Sequence, residues 1–119
     1  MYKIVFYQDL KGYSQVKELL ISLRLKKDKN SRVNLRKIED IINKLRENGL
    51  SIGMPYIRKI NEDIWEMRPL RNRILFFCYE KEKFVLLHSF VKKTNKRSKK
   101  EIDKGIREMN NYIKGENNE

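Results

Sequence analysis

Four side chains that suit anion binding lie at strand-like spacing in the middle of the chain: Glu66, Arg68, Arg73 and Tyr79. Side chains two residues apart in a β-strand lie on the same face of a sheet. Glu66 and Arg68 therefore face one way, and Arg73 and Tyr79 share one face of the following strand. A sheet face that carries all four would be a cationic cleft. Arginine suits a phosphate ligand, because its planar guanidinium holds two oxygens and stays charged.

The only imidazole and a group of cations follow this stretch. His88 suits acid–base work because imidazole changes charge near neutral pH, but its apolar neighbours equally allow a hydrogen-bonded core residue. Lys92 and Lys93 end the strand on opposite parities, so we expect at most one to point directly into the cleft, unless the strand twists or bulges. The next cations are Lys96, Arg97, Lys99 and Lys100, which could bind phosphates or form a solvated charge run.

Three strands must position these groups. Residues 63–68, 72–80 and 83–91 are rich in β-branched and aromatic residues, and short connections between them predict antiparallel neighbours. Trp65 and Met67 are predicted to face the core. The last of the three runs is apolar on both parities, which favours a central strand covered on both faces.

The remaining elements predict an α+β fold with a four- to five-stranded antiparallel or mixed sheet. Residues 2–7 form an N-terminal strand, and two amphipathic patterns form a helical hairpin that covers the Trp65 face. Ser98 and Glu101 read as the capping box of a C-terminal helix. We expect a single domain over residues 1–114 and a disordered tail over 115–119.

The amino-acid composition limits the functions that the protein could have. The net charge is +12, the pI is about 9.9 and 37% of the 119 residues are charged, which indicates a polyanionic partner, although lysine-rich genomes also make harmless proteins basic. One cysteine excludes an internal disulfide, and one histidine leaves no Cys/His zinc motif, so we expect no metal and no cofactor. We find no signal peptide or membrane-length apolar run, which favours the cytoplasm and no membrane partner.

The motifs WEMR at 65–68, RILF at 73–76 and LLHSFVKKT at 86–94, followed by a capped helix, carry a resemblance. Together with the order of elements, they resemble the phage-derived, HigB-like branch of the RelE/ParE toxin superfamily over nearly the whole chain. Met67 stands where a leucine is common in the family's ELR element, which is a conservative difference.

The resemblance implies the toxin of a type II toxin–antitoxin pair, an endoribonuclease that cuts mRNA on the translating ribosome. The partner would be a helix-turn-helix antitoxin, in a heterotetramer or larger complex, that covers the cleft or displaces the last helix. In such a reaction the 2′-hydroxyl of the RNA attacks the adjacent phosphate, so no metal is required. The protein must hold the geometry, neutralise the transition state and move protons.

The resemblance also suggests roles. Arg68 and Arg73 match strand-borne cations of the family and would clamp the phosphate, and loss of Arg73 is expected to abolish cleavage with little change in stability. The remaining catalytic candidates are Lys92, Lys93, His88 and Glu66, and Glu66 could instead pair with the arginines. The RNA-binding candidates are Arg58, Lys59, Tyr79, Lys96, Arg97, Lys99 and Lys100.

Two other functions stay open at this point. One is a ParE-like toxin that poisons gyrase without cutting nucleic acid, and the other is a phage nucleic-acid-binding protein without activity. The outward arginine pair with a possible acid–base partner favours the nuclease, because a pure binder would not need it.

Overall fold

One mixed β-sheet forms the centre of the protein in the computed structural model, which describes residues 1–94 and 96–117. Its five strands are β1 (Lys3–Phe6), β2 (Ile57–Lys59), β3 (Ile64–Met67), β4 (Asn72–Tyr79) and β5 (Lys83–Val91). Their spatial order is β1-β5-β4-β3-β2. β1 runs parallel to β5, and every other pair is antiparallel. The predicted α+β class is confirmed, and the first strand lies at the sheet edge.

A helical hairpin covers one face of the sheet, as the sequence predicts. α1 (Gln15–Leu25) and α2 (Lys29–Asn48) bury an apolar stripe against Met67, Ile74 and Phe76, with Trp65 half-buried beside them. α1 begins at Ser14, whose hydroxyl accepts a hydrogen bond from the Lys17 amide. Burial of this apolar surface is the main force that holds the hairpin on the sheet.

α2 ends at a glycine that the packing requires. Gly49 has a φ of +67°, and a Cβ built there would lie 2.7 Å from the ring of Tyr2. Any side chain at this position would therefore collide with the ring of Tyr2 just before β1, and the left-handed backbone would add strain. A short 3₁₀ helix (Gly49–Ile52) then leads towards β2.

The second face of the sheet is covered by α3 (Lys99–Asn117). Met109 of this helix packs against Ile64, Leu75 and Phe77 of the sheet. β5 is therefore central and covered on both sides, as predicted. Because α3 covers only part of the sheet, the end of this face near the β3–β4 turn stays open.

A β-bulge divides β5. Leu75 pairs with His88, but Phe76 pairs with Leu86, so Leu87 is the extra residue. Leu86 therefore faces the helical hairpin while Leu87 faces α3. The bulge puts His88 on the α3 face and separates it from the parity of Leu86, which the alternation of the sequence did not predict.

The C-terminal boundary differs from the prediction. α3 continues through Gly115 to Asn117, so the expected tail begins too early, and residues 118 and 119 lie outside the described residues. Tyr112 anchors this last turn, since its ring packs edge-on against Phe77 and Tyr79. These contacts offset the low helix propensity of Gly115.

Candidate active site

Glu66 and two arginines meet on the open end of the α3 face. Met67 of β3 pairs with Ile74 of β4, which places Arg68 and Arg73 on either side of the turn between these strands. The Nε atoms of both arginines lie 3.7 Å from Oε1 of Glu66. The alternation of strand side chains thus produces the predicted grouping of Glu66, Arg68 and Arg73.

Arg73 is a buried and anchored cation. Its side chain is 8% exposed, and NH1 donates hydrogen bonds to the carbonyls of Leu70 at 2.7 Å and Asn72 at 2.8 Å. Burial lowers the pKa of Arg73; Glu66 opposes this effect, while the neighbouring cations of the cleft reinforce it. Because Arg73 holds the β3–β4 turn, we revise the expectation for Arg73→Ala and predict that this change lowers stability.

Arg68 has an unused donor. Its Nε is buried and has no hydrogen-bond partner among the described residues, while NH1 makes only a weak contact with the sulfur of Met54 at 3.5 Å. A buried donor without a partner is costly in a folded protein, so such groups usually have a ligand or a water. Arg68 is therefore suited to an additional acceptor such as a phosphate oxygen.

These residues form the floor of an open cavity of about 630 Å³. Its walls come from the end of β5, the segment after it and the first turns of α3. Two carboxylates, Glu66 and Glu101, face eight cations in its lining: Arg58, Arg68, Arg73, Lys92, Lys93, Lys96, Arg97 and Lys104. The excess of positive charge, concentrated in a concave site, favours a polyanion.

Both lysines of the KKT motif line the cavity. β5 ends at Val91 and the strict alternation of side chains stops there, which allows both residues to border the cavity. That at most one of the two side chains points directly into the cleft stays a prediction. The backbone amide of Lys92 still donates to the carbonyl of Arg71 at 2.8 Å. This bond ties the start of the KKT segment to the β3–β4 turn and to Arg73.

The six basic RNA-binding candidates divide into two groups. Arg58, Lys96 and Arg97 line the cavity, and NH1 of Arg97 donates to the carbonyl of Ile60 at 3.2 Å. The other group lies outside the lining and contains Lys59, Lys99 and Lys100, all of which are exposed. Lys59 pairs with Trp65 across β2 and β3, and alternation puts it on the opposite face from Arg58. Lys99 pairs with Asp103 at 2.8 Å.

Tyr79 is not part of the cleft, which corrects the prediction. It shares a sheet face with Arg73 but lies at the far end of β4, where it packs against Phe77 and Tyr112. Tyr79 lies six positions along the strand from Arg73, a distance of roughly 20 Å. Alternation predicts the face of a side chain correctly but says nothing about its position along the strand.

His88 is buried behind the cavity and does not line it. Its Nδ1 lies 2.5 Å from Oε1 of Glu108, and its Nε2 lies 3.1 Å from Oε1 of Glu101. The side chain is 1% exposed, so direct contact between His88 and a substrate is excluded in this conformation. The alternative of a hydrogen-bonded core histidine describes its surroundings better.

Sequence reasoning missed Glu101, Lys104 and Gln15 as cavity residues. Glu101 was assigned only to the helix cap, and the Ser98 hydroxyl does accept its amide at 3.3 Å, yet its carboxylate binds His88. A usable signal was present, since Glu101 and Glu108 are seven residues apart and hence lie on one face of a helix.

Neither a metal cluster nor a membrane span is found in the part of the chain that the structure describes. No group of three or more His, Cys, Asp or Glu side chains there could hold a metal ion. No helix among the described residues is long and apolar enough to cross a bilayer.

The fold and the site define an α+β protein with a basic cleft whose floor carries Arg68 and Arg73. Residues 25–110 match the family of phage-derived Gp49-like proteins (DUF891), and the chain belongs to this family, which is associated with RelE-type toxin-like proteins. The matched region includes every cation of the cavity. No curated protein matches the chain.

Proposed function

We propose that this protein is the toxin of a type II toxin–antitoxin pair, from the HigB-like branch of the RelE/ParE superfamily, and that it cuts mRNA on the translating ribosome. The observation that carries the proposal is the convergence of Arg68 and Arg73 on Glu66 at the floor of a cavity lined by eight cations. Membership of the Gp49-like family is compatible with a toxin-type protein.

The arginines would clamp the scissile phosphate. Attack by the 2′-hydroxyl adds charge to the phosphate oxygens in the transition state, and donors already fixed in place stabilise that charge best. Arg73 is held by two backbone carbonyls, and Arg68 keeps an unused Nε donor. Glu66 would hold both guanidinium groups in position and offset part of their mutual repulsion.

The lysines of the KKT segment would complete the reaction site. A lysine ammonium near the scissile bond can donate a proton to the departing 5′-oxygen, and Lys92 is tied by its amide to the β3–β4 turn. Lys96 and Arg97 would bind the flanking phosphates, a contribution that weakens as salt rises. Because the RNA supplies its own nucleophile, this scheme needs no metal.

The same cavity would also bind the antitoxin. A helix-turn-helix partner with an acidic surface could cover the cleft or displace α3, and the net charge of +12 would accelerate their association. Binding at the cleft would shield Arg68 and Arg73 from RNA and so neutralise the toxin.

The experiment that tests the proposal uses an mRNA with a single mapped cut site on a programmed ribosome. We expect fragments with a 5′-hydroxyl and a 2′,3′-cyclic or 3′-phosphate, and no cleavage when the 2′-oxygen at that site is methylated. Cleavage of the methylated RNA would contradict the mechanism. Growth arrest with inhibited DNA supercoiling and intact mRNA would instead support the gyrase-poisoning alternative.

A further inference from the structure

A buried imidazole connects the cavity to a second carboxylate behind it. The ring of His88 lies between Glu101 and Glu108, and one ring nitrogen faces each carboxylate. Glu101 also lines the cavity. Building on the proposed function, we infer that Glu101 is the catalytic base that accepts the proton of the 2′-hydroxyl, with His88 and Glu108 as positioning residues behind it.

Glu101 is the more available of the two carboxylates in the cavity. Glu66 lies 3.7 Å from two arginine Nε atoms and acts as their countercharge. Glu101 makes no ion pair with a lysine or arginine among the described residues, and its side chain is 28% exposed. A carboxylate that faces the substrate and is not neutralised by a neighbouring cation can accept a proton more readily.

A hydrogen-bonded imidazole lies directly behind Glu101. Glu108 lies 2.5 Å from Nδ1 of His88, and in the neutral imidazole with its proton on Nδ1 this contact leaves Nε2 as an acceptor. A proton on Glu101 can then be donated to Nε2, which lies 3.1 Å from its Oε1. The imidazole is 1% exposed, so this hydrogen bond forms without competition from water.

The attachment of helix α3 to the sheet does not explain why Glu101 and Glu108 both contact His88. The Glu101 amide already donates a hydrogen bond to the capping hydroxyl of Ser98, and Met109 and its apolar neighbours pack the helix against the sheet. Gly105 lets the helix approach closely, since a Cβ there would lie 3.0 Å from Cδ1 of Leu75 and 3.8 Å from Cε1 of His88. The close approach brings both glutamates within hydrogen-bond reach of the imidazole.

The step balances without a further reactant. The 2′-oxygen forms a bond to phosphorus as its proton moves to Glu101, and the bond between phosphorus and the 5′-oxygen breaks. The 5′-oxygen takes a proton from the Lys92 ammonium. Glu101 then returns its proton to solvent and Lys92 is reprotonated by solvent, which leaves a 2′,3′-cyclic phosphate and a 5′-hydroxyl.

The test compares Glu101→Gln with Asp103→Asn, a control carboxylate on the same helix that pairs with Lys99 outside the cavity. Single-turnover cleavage of ribosome-bound mRNA should fall about a hundredfold or more in Glu101→Gln, with no loss of RNA binding, and should not change in Asp103→Asn. Glu108→Gln, which acts only through His88, should show a smaller loss of rate.

A substrate with sulfur in place of the 5′-oxygen separates the base from the acid. A thiolate leaves without a proton, so the deficit of Lys92→Ala should shrink on this RNA while the deficit of Glu101→Gln should persist. If Glu101 instead serves protonation of the leaving group, directly or by orienting Lys92, both deficits should shrink on the sulfur substrate. That result would overturn the inference.

The outcomes also separate this inference from the proposed function. If the wild-type protein cuts mRNA and folded Glu101→Gln cuts at the same rate, the inference is wrong and the nuclease stands. If the wild-type protein does not cut, both fail. If Glu101→Gln has a lowered melting temperature, the deciding experiment is Glu101→Ala with added formate. Formate can replace a missing carboxylate base, so the inference predicts a cleavage rate that rises with formate concentration. A rate that does not depend on formate contradicts the inference.

Discussion

The Nε atom of Arg73 lies 3.7 Å from Oε1 of Glu66, and the same oxygen lies 3.7 Å from Nε of Arg68. One carboxylate thus faces two guanidinium groups in a poorly exposed site. Both distances exceed a hydrogen bond, which leaves the guanidinium groups with donors for another anion. This relationship makes Glu66 a countercharge of both arginines that offsets part of their mutual repulsion.

Glu66→Gln tests this assignment. Removing one negative charge should tighten RNA binding and steepen its logarithmic salt dependence by about 0.7, the value for one further phosphate contact on a single strand. We expect the cleavage rate to fall by less than about tenfold, because a countercharge is less critical than a proton acceptor. Binding titrations at several salt concentrations and single-turnover rates measure both. A hundredfold loss of rate with unchanged binding would identify Glu66 as the base.

Arg73 is expected to stabilise the fold as well as the transition state. Arg73→Ala removes two hydrogen bonds to the carbonyls of Leu70 and Asn72, at a cost of about 1–3 kcal/mol in the free energy of unfolding. Arg71→Ala is the matched control, since Arg71 is exposed in the same turn and its side chain lies outside the cavity lining. Urea titration measures both variants. Equal stability of the two would contradict the anchoring of Arg73.

Two glycines of α3 should respond in opposite ways to alanine. Gly115→Ala meets nothing within 4 Å and should stabilise the protein by about 0.5–1 kcal/mol through helix propensity. Gly105→Ala places a Cβ 3.0 Å from Cδ1 of buried Leu75, and the overpacking should cost about 1 kcal/mol net of the same gain. Thermal melts of the pair give the comparison. Stabilisation by both changes would show that α3 packs less closely on the sheet.

Asp28 caps α2 and should make stability depend on pH. Its carboxylate accepts the amide and the hydroxyl of Ser31, both at 2.9 Å, and these hydrogen bonds lower the pKa of Asp28 below 3.8. Because the pKa is lowered in the folded state, the ionised Asp28 carboxylate stabilises the protein above pH 3.8. This stabilisation is lost as the pH falls through the pKa of the folded state.

The melting temperature of Asp28→Ala should therefore lie below that of the wild type at pH 6, and the two should converge as the pH falls below 3.8. Asp103→Asn controls for the loss of an exposed carboxylate. A difference in melting temperature that stays constant from pH 6 to pH 2.5 would show that the charge of Asp28 does not stabilise the helix, since about one pH unit beyond a pKa protonates most of a carboxyl.

Local patterns predicted most of the fold. Two-residue alternation put Trp65 and Met67 on one face and Glu66 with Arg68 on the other, because a sheet with one covered face leaves little freedom of register. The faces of β4 follow the same rule. The apolar stripes of α1 and α2 likewise identified the covered face of the sheet.

The bulge at Leu87 was not predictable, because β5 is apolar on both parities and either register would bury it. Its consequence is large, since it determines which face His88 occupies. The partnership of His88 with Glu101 and Glu108 joins residues that are 13 and 20 positions apart in the chain. Only the packing of α3 on the sheet reveals it.

The most direct test of the central claim is primer extension on a defined mRNA in a translation extract, with and without ribosomes, for the wild type, Arg68→Ala and Arg71→Ala. We predict new 5′ ends inside codons that depend on ribosomes, an approximately hundredfold loss for Arg68→Ala, and little change for Arg71→Ala, which removes the same charge outside the cavity. Equal loss in both variants, or no new ends from a protein that arrests growth, would contradict cleavage at the arginine-floored cleft.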